Sequence, residues 1–169
     1  TVLSITEDNN KILWLGTRNG LARFDMKTRS FNTLFIEGDS YRTIYTLYTS
    51  TDGTVWIGTD GGLTRYDEKT HKFDTYTEKN SIYLDSDGKK SADRHISVKS
   101  IIDDGHGNLY LGTWSDGVLI FNPKKRTFQR YEKINNFNSA YSLYLDSKGR
   151  LWIGSWSEGL QMIPNPEQG

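Results

Sequence analysis

The sequence contains no cysteine, which excludes disulfides and cysteine-ligated metal sites. Proline is scarce, 3 residues against 16 glycines, a balance that suits many tight turns between short strands. Net charge is also missing. The 21 Lys and Arg balance 21 Asp and Glu, so there is no basic field to hold nucleic acid or an anionic membrane surface. No apolar run approaches the roughly 20 residues of a membrane helix. No window sustains helical apolar periodicity either, so helix content is expected to be near zero.

What the chain does have is aromatic residues, 13% of a sequence only 35% hydrophobic, enough to build a core from a few large rings. They recur in register. LWLGT at 13–17, VWIGT at 55–59, LYLGT at 109–113 and LWIGS at 151–155 align on Trp14, Trp56, Tyr110 and Trp152, at steps of 42, 54 and 42 residues. The middle step is the same repeat with a 12-residue insertion. Upstream of each anchor, Val2, Ile44, Val98 and Ala140 open a short β-type stretch, and a polar, mostly glycine-containing turn follows it. Downstream come Gly16, Gly58, Gly112 and Gly154, then Gly20, Gly62, Gly117 and Gly159, which open a third stretch. Phe31, Phe73 and Phe128 mark a fourth.

Each repeat therefore reads as four short strands, A to D. Four strands at about 40–45 residues per repeat fit a propeller blade, and fit it better than an open solenoid of hairpins. The expected fold is all-β: one partial β-propeller over 1–169, with four-stranded antiparallel meanders as blades at about 1–36, 43–78, 97–133 and 139–164. The anchor ring and the glycine two residues on share a face of strand B. The expectation is that all four rings are buried between blades and that each glycine makes room for the neighbouring blade. Counted from Ile163, the position equivalent to Phe31 would be residue 170, so the last blade is expected to lack its outer strand. The arc is then expected to be open, completed by further blades or by self-association.

These motifs resemble the two-component regulator propeller repeat: a β-stretch, Asp-x-x-Gly, aliphatic-Trp-aliphatic-Gly-Thr, then Gly-Leu and an aromatic-Asp pair. YTSTDGTVWIGTDGGLTRYD at 48–67 is the closest copy; Tyr110, Ser155 and Ile163-Pro164 depart from the pattern. The resemblance implies the periplasmic sensor region of a Bacteroides-type hybrid histidine kinase/response regulator, responding to glycan fragments. No kinase, receiver or DNA-binding motif is present in these residues.

Function on a rigid scaffold sits in its variable loops, here the B–C and D–A connections, which propeller geometry places on one face. Trp114 and Trp156 lie in the longer B–C loops, off the packing register, where a ring can stack on a sugar. Arg18, Asp60, Asp116 and Glu158 come from the same loops and complete the candidate ligand site, with part of the 78–97 loop. No catalytic residue, metal site or cofactor is expected. Asp85-Ser86-Asp87-Gly88 lacks the remaining ligands of a calcium loop, and His71, His95 and His106 are not paired at metal spacing. The expected partners are a glycan fragment or another propeller or sensor domain, or a second copy at the open ends, with no nucleic acid and no direct membrane contact.

Overall fold

A computed structural model of the chain describes residues 1–36, 42–77, 79–85, 87–91, 95–132 and 137–166. It contains no helix among them, and the strands fall into four separate sheets, one per repeat. Blade 1 is β1 (Val2–Glu7), β2 (Ile12–Thr17), β3 (Gly20–Asp25) and β4 (Ser30–Leu34), each antiparallel to the next. Blade 2 repeats this with β5 (Ile44–Thr49), β6 (Val55–Thr59), β7 (Gly62–Asp67) and β8 (Lys72–Tyr76). β9 (Ile82–Leu84) follows, then blade 3 with β10 (Val98–Asp103), β11 (Leu109–Thr113), β12 (Val118–Asn122) and β13 (Thr127–Arg130). Blade 4 has three strands, β14 (Ser142–Leu145), β15 (Leu151–Gly154) and β16 (Leu160–Ile163).

The turn chemistry explains the repeated polar positions. In blade 1 the Asp8 carboxylate accepts the amides of Asn10 and Ile12 on one oxygen and Trp14 Nε1 at 2.8 Å on the other. Asp146 does the same in blade 4, taking Lys148 and Arg150 amides and Trp152 Nε1 at 2.9 Å. In blade 3 the anchor is Tyr110, which offers no indole N–H, and Asn108 Nδ2 fills the second oxygen of Asp104 instead, at 2.6 Å. The A–B turn is thus an Asx turn that also orients the anchor ring. Asp25 and Asp67 hold the C–D turns likewise, each accepting two amides.

Blades pack in chain order, 1 on 2, 2 on 3 and 3 on 4. At each junction the anchor ring of one blade lies on the apolar face of the next. Trp14 meets Tyr66 at 4.7 Å, Trp56 meets Phe121 at 6.1 Å, and Tyr110 clusters with Leu151, Ile153 and Ile163. The glycine beside each ring admits the next strand A. A Cβ on Gly16 would touch Ile44, one on Gly58 would touch Val98, and one on Gly112 would lie 2.5 Å from the Ala140 carbonyl oxygen. Serines complete the junctions near the start of strand A: Leu47 N donates to Ser4 Oγ at 2.8 Å, and Leu143 N to Ser100 Oγ at 3.0 Å.

Two features depart from the sequence expectation. Trp152 is only half-buried, whereas Trp14, Trp56 and Tyr110 are buried. Among the described residues no further blade packs on it, and Arg150 lies over its ring at 5.4 Å. The second is the 12-residue insertion, which is more than a loop. Its β9 pairs in parallel with β13, so blade 3 has a fifth strand, and Tyr83 is buried in the same cluster as Phe128. An otherwise open strand edge is thereby covered. The Asp85 carboxylate of this insertion accepts the Lys89 amide, while Ser86 lies outside the described residues. No group of metal-binding side chains is found among the described residues.

Candidate functional site

The hydroxyl that ends each Gly-Thr or Gly-Ser motif holds the B–C loop. Thr17 Oγ1 accepts the Asn19 amide, Thr59 Oγ1 that of Gly61, Thr113 Oγ1 that of Asp116, and Ser155 Oγ those of Ser157 and Glu158. The residue directly after the hydroxyl is therefore fixed at the loop mouth. It is Arg18, Asp60, Trp114 and Trp156 in the successive blades.

A second set of side chains meets them there. Strands β1, β5 and β10 each carry a register break one residue after their opening aliphatic. Such a bulge re-aims a side chain, and the residues at this position are Leu3, Tyr45 and Lys99, with Tyr141 as the blade 4 equivalent. Tyr45, Lys99 and Tyr141 join Asp60, Trp114, His95 and Ser97 around one shallow cleft. His95 and Ser97 end the 78–97 connection, so B–C and D–A segments do share a face.

One half of this mouth is polar. Asp60 bridges blades 2 and 3: Oδ1 accepts Lys99 Nζ at 2.9 Å and Ser97 Oγ at 2.5 Å, and Oδ2 accepts the Tyr45 hydroxyl at 2.8 Å. The Lys99 ammonium also lies 3.1 Å from the centroid of the Tyr45 ring, a cation–π contact with a buried lysine side chain. Burial alone would raise the Asp60 carboxyl, but the hydrogen bonds from Lys99, Ser97 and Tyr45 outweigh it and hold the group below the usual carboxylate range. Burial and the Asp60 charge push the Tyr45 phenol up to about 12, and the Arg18 guanidinium lies close enough to pull against that rise.

The other half is aromatic. Trp114, Tyr141 and Trp156 are 49%, 38% and 69% exposed. Their ring centroids are 6.0 Å apart for Trp114 and Tyr141, 5.6 Å for Tyr141 and Trp156, and 6.2 Å for the two tryptophans. Glu158 is an exposed residue at the far side, accepting Ser139 Oγ at 3.1 Å and the Ser155 hydroxyl. Its carboxyl, too, lies below the ordinary range, because serine hydrogen bonds outweigh desolvation.

Of the residues singled out in the sequence, Trp114, Trp156, Asp60, Arg18 and Glu158 thus present to this mouth or its rim. Asp116 does not: it is buried, its amide on Thr113 Oγ1 and its carboxylate receiving the Ser115 hydroxyl at 3.2 Å. Sequence reasoning missed Tyr45, Ser97, Lys99 and Tyr141. The available signal was that three of them stand at one repeat position where blade 1 has an aliphatic leucine.

The pairing of Lys99 with Asp60 has a checkable consequence. Because the folded pKa of Asp60 lies below its unfolded value, the network stabilises the fold above the unfolded carboxylate range. That contribution is lost as pH falls through the folded pKa. Lys99→Met removes the foremost donor, so the Asp60 carboxyl should titrate at higher pH in an NMR pH series and acid unfolding should begin at higher pH. An unchanged Asp60 titration would break the assignment.

The four sheets, their radial packing and the glycine slots define an open arc of a β-propeller. Within that class, residues 1–19, 38–61 and 136–157 match the family model described as two component regulator propeller; the Tyr110 copy lies outside the match. No curated protein matches the sequence significantly. Among solved structures, the chain is similar to the extracellular domain of a protein described as a hybrid two-component system of B. thetaiotaomicron. The TM-score is 0.72 at 23% identity, over 96% of this chain and 20% of that one. A second B. thetaiotaomicron extracellular domain, described as that of a one-component system, gives 0.55 at 22% identity over 95% and 27%. Virginiamycin B lyase from Staphylococcus aureus, in a catalytically inactive form, gives 0.71 at 14% identity over 99% and 56%. The chain thus spans about a fifth to a quarter of the first two structures' length.

Proposed function

We propose that this chain is the ligand-sensing part of an extracytoplasmic two-component sensor, and that its loop mouth binds an oligosaccharide. The observation that carries the reading is the trio of exposed, mutually touching rings, Trp114, Tyr141 and Trp156, set beside a fixed polar network. A pyranose offers an apolar C–H face to the rings and hydroxyls to the rim. The Asp60 carboxylate has about four lone-pair positions; among the described residues Tyr45, Ser97 and Lys99 take three, and a sugar hydroxyl can donate to the fourth. Arg18 and Glu158 supply a donor and an acceptor at either side. The family match and the extracellular relatives support the placement outside the cytoplasm.

The mouth is read as a binding site and not as a glycosidase centre. Glycoside cleavage needs one carboxyl kept protonated beside one ionised. Here Asp60 and Glu158 are both held below the usual range, and Asp116 is buried.

Calorimetric titration with a library of defined oligosaccharides tests this. Saturable binding without cleavage is expected, and Trp114→Ala or Trp156→Ala should each weaken it on the order of tenfold to a hundredfold. Because Trp114 is about half and Trp156 mostly exposed, the melting temperature should stay near that of the parent chain. Loss of stability comparable to Trp56→Ala would show the rings to be core. Turnover would overturn the non-catalytic reading, and binding of a protein domain in place of any glycan would redirect the site to a partner chain.

A further inference from the structure

The outer seam between blades 1 and 2 and the one between blades 2 and 3 are built from the same repeat positions, yet they are filled differently. In blade 2, Trp56, Arg65 and Asp74 stand in one cross-strand row, with Tyr76 two residues past Asp74. Arg126 of blade 3 closes that seam. Its two terminal guanidinium nitrogens donate to Asp74 at 3.0 and 3.2 Å, and the group lies 4.4 Å from the Tyr76 ring centroid. Tyr76 is itself buried, 4.8 Å from the ring of Phe121. In the seam between blades 1 and 2 the equivalent row is Trp14, Arg23 and Asn32. There Asn32 stands for Asp74, Leu34 for Tyr76 and His71 for Arg126. A salt bridge and a phenol ring are thus replaced by an amide, an imidazole and a shorter aliphatic. A cleft of about 340 Å³ results, lined by these three residues together with Arg23, Tyr66 and Phe73. That volume falls at the lower end of the range for small-ligand sites.

The same seam holds two buried atoms that want partners. Arg23 meets Glu68 of blade 2 only loosely, Nη2 to Oε1 at 3.6 Å. Arg23 Nε and Glu68 Oε2 are both buried with no hydrogen-bond partner among the described residues. Leaving a buried donor and a buried acceptor unmade is costly, more so for charged groups. We propose that this seam binds a single neutral sugar ring, at a site that shares no lining residue with the loop mouth. The opposite charges of Arg23 and Glu68 set the class of ligand. An anion would be repelled by Glu68 and a cation by Arg23, whereas a hydroxyl accepts from the one and donates to the other. Two neighbouring hydroxyls of one ring can serve both atoms. Asn32 adds an amide that donates and accepts at the rim. Leu34, Phe73 and the Tyr66 ring supply an apolar wall for the C–H face of the sugar, while the Tyr66 hydroxyl and His71 Nδ1 hold each other at 2.9 Å. The site stands whether or not the mouth binds an oligosaccharide.

Titration of the chain with glucose, galactose and mannose, followed by NMR of the Arg23 Nε–H and the Asn32 side-chain amide, tests the proposal. Saturable shifts of both resonances are expected with at least one of these sugars. Asn32→Asp, Leu34→Tyr and His71→Arg, made together, rebuild at this seam the filling of the next one and should abolish the Arg23 shift. Arg23→Gln removes the charged donor and should weaken binding about tenfold or more, read on the Asn32 amide, which keeps the test open should the triple variant disturb the fold. The indole N–H resonances of Trp114 and Trp156 report the mouth in the same spectra. The absence of saturable shifts at Arg23 and Asn32 with all of the sugars overturns the proposal, and so do shifts confined to the two indoles, which would be binding at the mouth alone. An Arg23 shift that persists in the folded triple variant, or undiminished binding by Arg23→Gln, overturns it equally.

Discussion

Replacing Trp56 by alanine should be among the most damaging single changes in the chain, while the same change at Trp152 should cost far less. Both are anchors of strand B in the same repeat motif. Trp56 is buried between blades 2 and 3, with Phe121 and Tyr76 each 6.1 Å from its centroid. Deleting a buried tryptophan loses its transfer energy and leaves a cavity, about 3–5 kcal/mol. Here the cavity would lie in the junction itself, where backbone on either side is fixed by its own sheet and cannot collapse inward. Trp14 should behave like Trp56 and lose in addition the indole bond to Asp8. Trp152 keeps the corresponding bond to Asp146 but is half-exposed, with no further blade packed on it among the described residues, so little cavity forms. Urea unfolding of the three variants, under conditions where the parent chain is monomeric, gives the comparison. Equal losses at all three positions would mean that the ring stabilises its own blade and not the junction.

The repeat, the strand order and the position of the loop mouth were legible in the sequence because they are written in local chemistry. Asp8, Asp104 and Asp146 close turns with their own neighbours, and the Gly-Thr hydroxyls fix the short B–C loops. Arg18, Asp60, Trp114 and Trp156 follow those hydroxyls directly, so counting along the repeat places all of them at one end of the molecule. Tyr45, Lys99 and Tyr141 were not found because a strand read with strict alternation turns them onto a blade face. The register break that aims them into the mouth is a property of the paired strands.

Other misses have the same origin in long-range contact. β9 lies in a segment with no repeat partner, and its parallel pairing with β13 joins residues more than forty positions apart. Asp116 looked like an exposed loop carboxylate, yet in the longer loop of blade 3 it is buried, with its amide on Thr113 Oγ1. The exposure of Trp152 depends on which blade follows it, and no motif in its own repeat records that.

Gly112→Ala should strain the junction between blades 3 and 4, and Gly154→Ala should be nearly silent. The two glycines occupy the same repeat position, neither has positive φ, and alanine suits a strand no worse than glycine. Backbone preference is thus the same in both, and only the neighbour differs. A Cβ at Gly112 would sit 2.5 Å from the carbonyl oxygen of Ala140, closer than any relaxed contact, and that oxygen is backbone held in place by the Ala140 amide bond to Thr113 at 2.8 Å. Relief requires blade 4 to shift outward from Val118, Tyr131 and Tyr110, with which Ala140 and Leu143 are clustered. Overpacking of this kind costs roughly 1–3 kcal/mol, and a displaced Ala140 would carry Tyr141 away from Trp114 and Trp156, so ligand affinity should fall together with stability. At Gly154 the nearest atom is 3.6 Å away, ordinary van der Waals contact, and the isolated chain should tolerate the methyl. Thermal melts of the monomer read the first difference and oligosaccharide titration the second. A Gly112→Ala chain that melts and binds like the parent would show that the slot is loose and that blade 4 does not depend on it.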